Sequence, residues 1–282
     1  MSNYILISTD VELQKYMDGL LETKQFVIAL DTEANNHRYA YGQQLCLIQI
    51  NDGTSSIIVD PCNIEDETLR NLFENRDILK IMYDATNDIS LLVNSKNITI
   101  KSVLDLRPGV ELLKYDRKDL HSVINMELGI ELKHKAKFQG YNWLRRPLSE
   151  EAIEYALNDV KYLHRLKDII LRKIYEGQLL DLFILRNIRV QNREYFNDPK
   201  DSYQRVKGYK GLGYECKPRF QKLYTVREEY AKLVNMPSAY IIPNRLLLNI
   251  ASGIQTLEDI TFPQRFTHKL MDKMLWDLKK VF

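Results

Sequence analysis

Short apolar runs alternate with helically spaced apolar residues over the first part of the chain. The runs have the length of buried strands and lie at residues 5–7, 26–30, 45–50, 56–59 and 78–82. Helical spacing is found at residues 10–21, at residues 67–74 and around Asp88. Asn51-Asp52-Gly53-Thr54 separates two of the runs and is a hairpin signal. This alternation predicts an α/β domain in which helices flank a mixed sheet.

The pattern of the rest of the chain is mainly helical from Leu120 onward, apart from a predicted basic loop at residues 133–138. Residues 193–213 are rich in Asn, Asp, Lys and Gly, a composition typical of a linker. Helical spacing then returns at residues 218–233, 244–252 and 266–279. We therefore predict a first domain over residues 1–192, a linker over residues 193–213 and a small all-α domain over residues 214–282.

Two carboxylates follow the apolar run at residues 26–30. Asp31 and Glu33 are separated by one residue, and side chains at positions i and i+2 of a strand share a face. We therefore expect both side chains to point the same way, at the place where the strand ends.

A tyrosine and a third carboxylate share one face of a later helix. Ser149 is a good N-cap, and two glutamates follow it in the first turn. Tyr155 and Asp159 come next, spaced i and i+4 on that helix. A fourth carboxylate, Asp88, lies at the start of the helix predicted after residues 78–82.

These four carboxylates belong to segments that are apolar enough to be buried. A buried carboxylate is costly unless it is paired, hydrogen-bonded or bound to a metal. If the four meet, they suit two divalent cations, and hard cations in a carboxylate site indicate phosphoryl chemistry. Each segment alone has a simpler explanation as a strand end, a helix cap or the exposed side of an amphipathic helix. Only the combination favours a metal site.

The combination resembles the DEDD superfamily of 3′-to-5′ exonucleases, in the subclass with Tyr-x-x-x-Asp in its last motif, and within it the ribonuclease D family. The resemblance extends to residues 45–49, Asp60-Pro61, Leu104-Asp105 and residues 142–149, in the family's order. It implies a ribonuclease H-like mixed sheet flanked by helices. Residues 205–208 and 226–231 resemble an HRDC domain, which implies that a small all-α HRDC-like domain follows.

The resemblance implies a metal-dependent 3′-to-5′ exoribonuclease that releases nucleoside 5′-monophosphates. Asp31, Glu33, Asp88 and Asp159 would hold two Mg²⁺ or Mn²⁺ ions about 3.5–4 Å apart, and no nucleotide cofactor is implied. The resemblance implies that Tyr155 orients the attacking water or also deprotonates it. A free tyrosine has a pKa of about 10 and keeps its proton at neutral pH, so we favour orientation.

The implied partner is RNA with a single-stranded 3′ end. Maturation of tRNA precursors and general RNA turnover fit equally well, and we expect a monomer. Basic and aromatic residues ahead of the last motif are candidate RNA contacts: Lys133, Lys135, Lys137, Trp143 and Arg145. A solvated loop is the alternative for the lysines, and core packing is the alternative for Trp143. Ala34 stands where many relatives carry Phe, so the grip on the last nucleotide is expected to differ.

Two other functions stay open. A DNA exonuclease of the same superfamily would use the same carboxylates, and recognition of a 2′-hydroxyl depends on geometry that the sequence does not reveal. An inactive nucleic-acid-binding protein is the second alternative. The complete set of five residues disfavours it, because an inactive copy is free to lose ligands.

Net charge divides unevenly along the chain. Residues 186–282 hold 18 Lys and Arg against 10 Asp and Glu, or +8, while residues 1–185 hold 22 against 28, or −6. Such asymmetry points to contact with nucleic acid. The alternative is that surface charge simply varies between domains.

The remaining features exclude several protein classes. No stretch is long and apolar enough to span a membrane, and the N-terminus lacks the basic region and cleavage site of a signal peptide. The three cysteines lie far apart and form neither a disulfide framework nor a zinc pair. We therefore expect a cytoplasmic protein without membrane contact.

Overall fold

The computed structural model describes residues 4–132, 135–138 and 140–282, with the side chains of residues 135 and 136 left out. The chain forms two compact units. The first runs up to Ala34 and continues from Gln44 to Phe196, and the second contains Asn35–Gln43 and Asn197–Phe282.

A six-stranded mixed sheet is the centre of the first unit. Its strands are β1 (Ile5–Ile7), β2 (Val27–Asn36), β3 (Gln43–Asn51), β4 (Ser56–Val59), β5 (Leu79–Met82) and β6 (Val103–Asp105). Their order in the sheet is β1-β4-β3-β2-β5-β6. Strands β3 and β4 pair antiparallel, whereas β1 with β4, β2 with β5 and β5 with β6 pair parallel. The predicted mixed sheet is therefore confirmed.

Helices cover both faces of this sheet. They are α1 (Asp10–Glu22), α2 (Asp66–Phe73), α3 (Thr86–Lys96), α4 (Arg107–Leu112), α5 (Leu120–Leu128), α6 (Lys135–Phe138), α7 (Glu150–Lys161), α8 (Leu163–Glu176) and α9 (Leu180–Asn192). Ile28 and Leu30 of β2 pack in one core with α1, α2 and α3. Ala29, between them, packs in a second core with α5, α7 and α8. None of the helices among the described residues is long and apolar enough to cross a membrane.

Strand β2 is longer than the sequence pattern predicts. The apolar run ends at Leu30, but the strand continues to Asn36, where the His37 N–H donates to the Gly42 carbonyl at 3.1 Å and turns the chain. Asp31 and Glu33 therefore lie inside the strand and not at its end. Their shared direction still follows, because the alternation of faces continues along the strand.

Helices build the second unit. They are α10 (Cys216–Leu233), α11 (Ser238–Ile241), α12 (Asn244–Ala251) and α13 (His268–Lys279), with 3₁₀ turns at Pro199–Arg205, Tyr209–Gly211 and Leu257–Asp259. Phe220, Leu223, Leu247 and Met274 are fully buried in its core.

Most of the segment predicted as a linker is part of a compact unit: residues 197–213 belong to the second unit. Tyr203 is buried, and its ring lies edge-on to that of Tyr209 at 5.3 Å. Gly208 has φ +105°, and a Cβ atom there would lie 2.9 Å from Leu248 Cδ1. The glycine therefore serves a tight turn in a packed segment. The composition of this segment is typical of a linker, but its residues are packed.

Candidate active site

Three carboxylates meet in the first unit. Asp31, Glu33 and Asp159 each offer an oxygen, and these oxygens all lie within 4.8 Å of one another. Asp31 and Glu33 share the face of β2 that also carries Ala29, and Ala29 packs in the same core as Val160 of α7. The sheet face and helix α7 thus bring the three side chains together.

Helix α7 presents Tyr155 and Asp159 from one side, as its sequence predicts. The helix begins after Ser149, whose hydroxyl accepts the Ala152 N–H at 3.2 Å. Ala152 and Ala156 are buried in a core with Ile58 of β4. Tyr155 and Asp159 remain half-buried, because they lie at the border between that core and the carboxylate cluster.

The cluster concentrates negative charge. Burial first, and then the charges of Asp88 and Asp159, raise the pKa of Asp31 well above its ordinary value. Burial and the same two neighbours raise the pKa of Glu33. Hard carboxylate oxygens are the donors that Mg²⁺ and Mn²⁺ prefer, and a divalent cation among them would turn this repulsion into attraction. The residues therefore fit a divalent metal.

Asp88 lies beside this cluster. It is in the first turn of α3 and only 9% exposed, and its Oδ1 accepts a 2.5 Å hydrogen bond from the Thr32 hydroxyl. Burial raises its pKa to about 7. Within the described residues it is not part of the 4.8 Å group, yet its charge acts on Asp31. The nearby Asp84 is exposed and lies 3.7 Å from the guanidinium of Arg107, which favours Asp88 as the buried acid of this segment.

Asp105 fixes the loop that leads to Asp88. Its Oδ1 accepts the N–H groups of Asp84 and Arg107, at 2.8 and 2.9 Å, and its Oδ2 accepts the Ala85 N–H at 3.1 Å. The sequence marks Leu104-Asp105 only as a motif. The structure gives the aspartate a role in holding the start of α3.

An aromatic cluster holds Tyr155. The ring of Phe138 stacks on it at 5.0 Å, and the ring of Trp143 lies 6.3 Å away. Trp143 is only 4% exposed, so it has no open face on which a nucleobase could stack. We therefore assign Trp143 to packing around Tyr155 and no longer to contact with RNA. Phe138, expected in a loop, lies at the end of the short helix α6.

The four basic residues predicted to contact RNA differ in how the structure describes them. Lys133 lies outside the described residues, and only the backbone of Lys135 is described, in α6. Lys137 is exposed and forms an ion pair with Glu151 in the first turn of α7. Arg145 is exposed. Contact of Lys137 and Arg145 with RNA stays a prediction.

His121 is a site residue that the sequence analysis misses. Its Nε2 lies 3.2 Å from Asp159 Oδ1, and its ring lies 6.1 Å from that of Tyr155. It belongs to α5, 38 residues before Asp159 in the chain. A single histidine near the start of a helix carries no motif, so no local signal could have identified it.

A cluster of half-buried carboxylates beside a tyrosine, on a mixed sheet flanked by helices, defines a nuclease-like hydrolytic site. A family model described as 3'-5' exonuclease matches residues 4–175, and the chain belongs to this family. It is similar to ribonuclease D of Desulfotalea psychrophila, with 31% identity over 253 residues that cover 88% of this chain. The chain spans 66% of the length of that relative.

Solved structures show the same fold. Escherichia coli RNase D, described as an exoribonuclease involved in structured RNA processing, superposes with a TM-score of 0.79 at 21% identity, covering 99% of this chain and 75% of that one. Brucella melitensis NrnC with bound Mg²⁺ superposes with a TM-score of 0.55 at 20% identity, covering 76% and 98%. The predicted exonuclease fold is thereby confirmed.

Proposed function

We propose that this protein is a metal-dependent 3′-to-5′ exoribonuclease that releases nucleoside 5′-monophosphates one at a time. The convergence of Asp31, Glu33 and Asp159 within 4.8 Å carries the proposal. It occurs in a chain of the 3'-5' exonuclease family, with Tyr155 one helical turn before Asp159.

The proposed cofactors are two Mg²⁺ or Mn²⁺ ions. Asp31, Glu33, Asp159 and the adjacent Asp88 are the residues that would hold them. When bound, the two ions supply Lewis acidity that makes water more acidic and stabilises the leaving 3′ oxygen. The Mg²⁺ in the related fold of NrnC supports this choice of metal.

Tyr155 has an orienting role in this proposal. Burial and the charges of Asp159 and Glu33 raise the pKa of its hydroxyl, so the group keeps its proton at neutral pH. A protonated hydroxyl can hold the attacking water by hydrogen bonding, and it is a poor base. The stacked ring of Phe138 restricts the position of the tyrosine ring that carries this hydroxyl.

RNA is the proposed substrate, with tRNA precursors as the proposed partner. The names of the ribonuclease D relatives and the description of the E. coli structure support RNA. Exposed Arg145 and Lys137 would contact the phosphate backbone ahead of the site. We propose a monomer that acts in the cytoplasm.

The second unit would hold the RNA strand as an HRDC-like module. Residues 197–282 of this unit hold 15 Lys and Arg against 9 Asp and Glu, or +6, which supports this role. Lys207 and Lys210 are exposed on either side of Tyr209. Changing both lysines to Glu should weaken RNA binding without lowering kcat. The slope of log Kd against log salt should fall by about 0.7 for each phosphate that is no longer bound, and an unchanged slope contradicts this role.

A time course on a 5′-labelled RNA with a single-stranded 3′ tail tests the function. Reactions contain Mg²⁺, Mn²⁺ or EDTA, and matched DNA and a 3′-phosphate RNA run in parallel. The proposal predicts a one-nucleotide ladder that requires metal and a free 3′ hydroxyl and is faster on RNA. Faster cleavage of DNA indicates a DNA exonuclease, and no ladder with either metal indicates a binding protein.

A matched pair of variants tests the assignment of the second motif. Asp88→Asn should abolish the ladder, whereas Asp84→Asn, four residues earlier and exposed, should leave it unchanged. The reverse result would show that Asp84 is the functional acid.

A further inference from the structure

The four carboxylates are held in two different ways. Asp31 and Glu33 take their direction from strand β2. Asp88 and Asp159 lie on helices, and each has a hydrogen-bond partner on another element: Thr32 for Asp88 at 2.5 Å and His121 for Asp159 at 3.2 Å. Thr32 is part of the Asp-Thr-Glu segment, whereas His121 comes from α5, outside all the motifs.

His121 sits on a firmly anchored helix. Asp119 caps α5 by accepting the Ser122 N–H at 3.3 Å, and Val123 and Ile124 are fully buried in the core that contains Val160. The side chains of His121 and Asp159 are 13% and 15% exposed. A contact between two largely buried groups on two packed helices restricts the rotamer of the carboxylate more than a solvated contact would.

We propose that His121 is a positioning residue, which donates a hydrogen bond from Nε2 to Asp159 Oδ1 and would leave Oδ2 available to a cation. This role rests on the proposed function of the cluster. A hydrogen-bonded ligand loses less freedom when the cation binds, and such partners orient ligand carboxylates in metal sites. The ring also lies 6.1 Å from Tyr155, so His121 contacts both functional residues of α7.

Two substitutions of His121 separate the effect of its hydrogen-bond donor from the effect of its aromatic ring. His121→Phe keeps an aromatic ring next to Tyr155 and removes the donor. His121→Gln removes the ring and keeps an N–H donor at a similar distance from the backbone. His164→Phe is the matched control, because His164 Nε2 bonds the Asn51 carbonyl at 2.9 Å and not a carboxylate.

Binding of Mn²⁺ to the full chain, followed by EPR of the free ion, is the main measurement. His121→Phe should weaken binding by about 10–100-fold, while His121→Gln and His164→Phe stay close to the wild-type protein. Cleavage of the tailed RNA should show the same pattern, with kcat of His121→Phe recovering when Mn²⁺ is raised to saturation.

Wild-type affinity in His121→Phe overturns the proposal. Equal losses in His121→Gln or in His164→Phe also overturn it, because the effect would then come from the ring or from general loosening. Absence of Mn²⁺ binding by the wild-type protein contradicts both this role and the proposed function. Binding that depends on His121 without any RNA ladder contradicts the proposed function alone.

Discussion

One cluster of charged side chains in each unit shows how differently charge can be arranged. In the first unit, Asp31, Glu33 and Asp159 bring carboxylate oxygens together within 4.8 Å. In the second unit, Arg227 is 2% exposed and is matched by partners. Its guanidinium donates to Glu228 at 2.8 Å, to the Ile242 carbonyl at 2.9 Å and to Asn244 at 2.6 Å.

The difference separates a ligand site from a structural contact. A charged group that finds its counter-charge within the protein contributes to a defined fold, and removing one partner leaves the other buried and unpaired. Like charges in a cluster repel one another until a cation binds. The cluster therefore lowers the stability of the metal-free protein, and relief of this repulsion adds to the affinity for the cation. Substitution of a carboxylate in the first cluster should therefore lower activity without lowering stability, whereas substitution of Arg227 should lower stability.

The largest effect is expected at the carboxylates. Asp31→Asn should lower kcat on the tailed RNA by about 10³-fold or more, since loss of a metal ligand removes several kcal/mol of transition-state stabilisation. Its Tm in EDTA should be equal to or higher than that of the wild-type protein. An active variant, or one that unfolds readily, contradicts the assignment.

Substitution in the second cluster should lower the stability of the protein. Arg227→Met should destabilise the protein by about 3 kcal/mol, because Glu228 would lose its buried partner. The double variant with Glu228→Gln should recover part of that loss. Urea denaturation of the three proteins measures this, and equal stability of all three would mean that the pair is not structural.

Substitution of Tyr155 tests whether its hydroxyl orients the attacking water. Tyr155→Phe should reduce kcat by about 10²-fold, the typical cost of losing one well-placed hydrogen-bond donor, with little change in RNA affinity. Tyr141→Phe is the control and should keep its rate, because the Tyr141 ring lies in the same cluster, 5.4 Å from Phe138 and 4.8 Å from Trp143. Equal rates for both variants would leave the Tyr155 hydroxyl without a role.

The smallest effect is a dependence of stability on pH. The folded-state pKa of Asp31 is raised, so the folded protein retains a proton that the unfolded chain releases, and stability falls as pH rises above the unfolded pKa of about 4. Asn cannot ionise, so in EDTA the stability advantage of Asp31→Asn over the wild-type protein should grow as pH rises above the unfolded pKa of about 4. An advantage that is constant or shrinks contradicts the raised pKa.

Local patterns predict much of this site. The Ser149 cap and the i, i+4 spacing of Tyr155 and Asp159 depend on one helix, and the shared face of Asp31 and Glu33 depends on one strand. These features follow from neighbouring residues, so the sequence contains them. The resemblance to a family supplies the expectation that the segments converge.

Contacts between distant segments could not be predicted in the same way. Thr32 bonds Asp88, Phe138 stacks on Tyr155, and His121 approaches Asp159 across 38 positions. None of these pairs has a periodicity or a motif to reveal it. The short strand β6 has three residues, too few for an alternating pattern, so the sequence signals it only through Leu104-Asp105.

Direct titration of Mn²⁺ into the metal-free protein at neutral pH, read by EPR, tests whether the like-charged cluster is a cation site. We expect the wild-type protein and the exposed-site variant Asp84→Asn to bind Mn²⁺ equally, whereas Asp31→Asn and Asp159→Asn should lose most of the affinity. Equal binding by all four proteins would contradict this expectation.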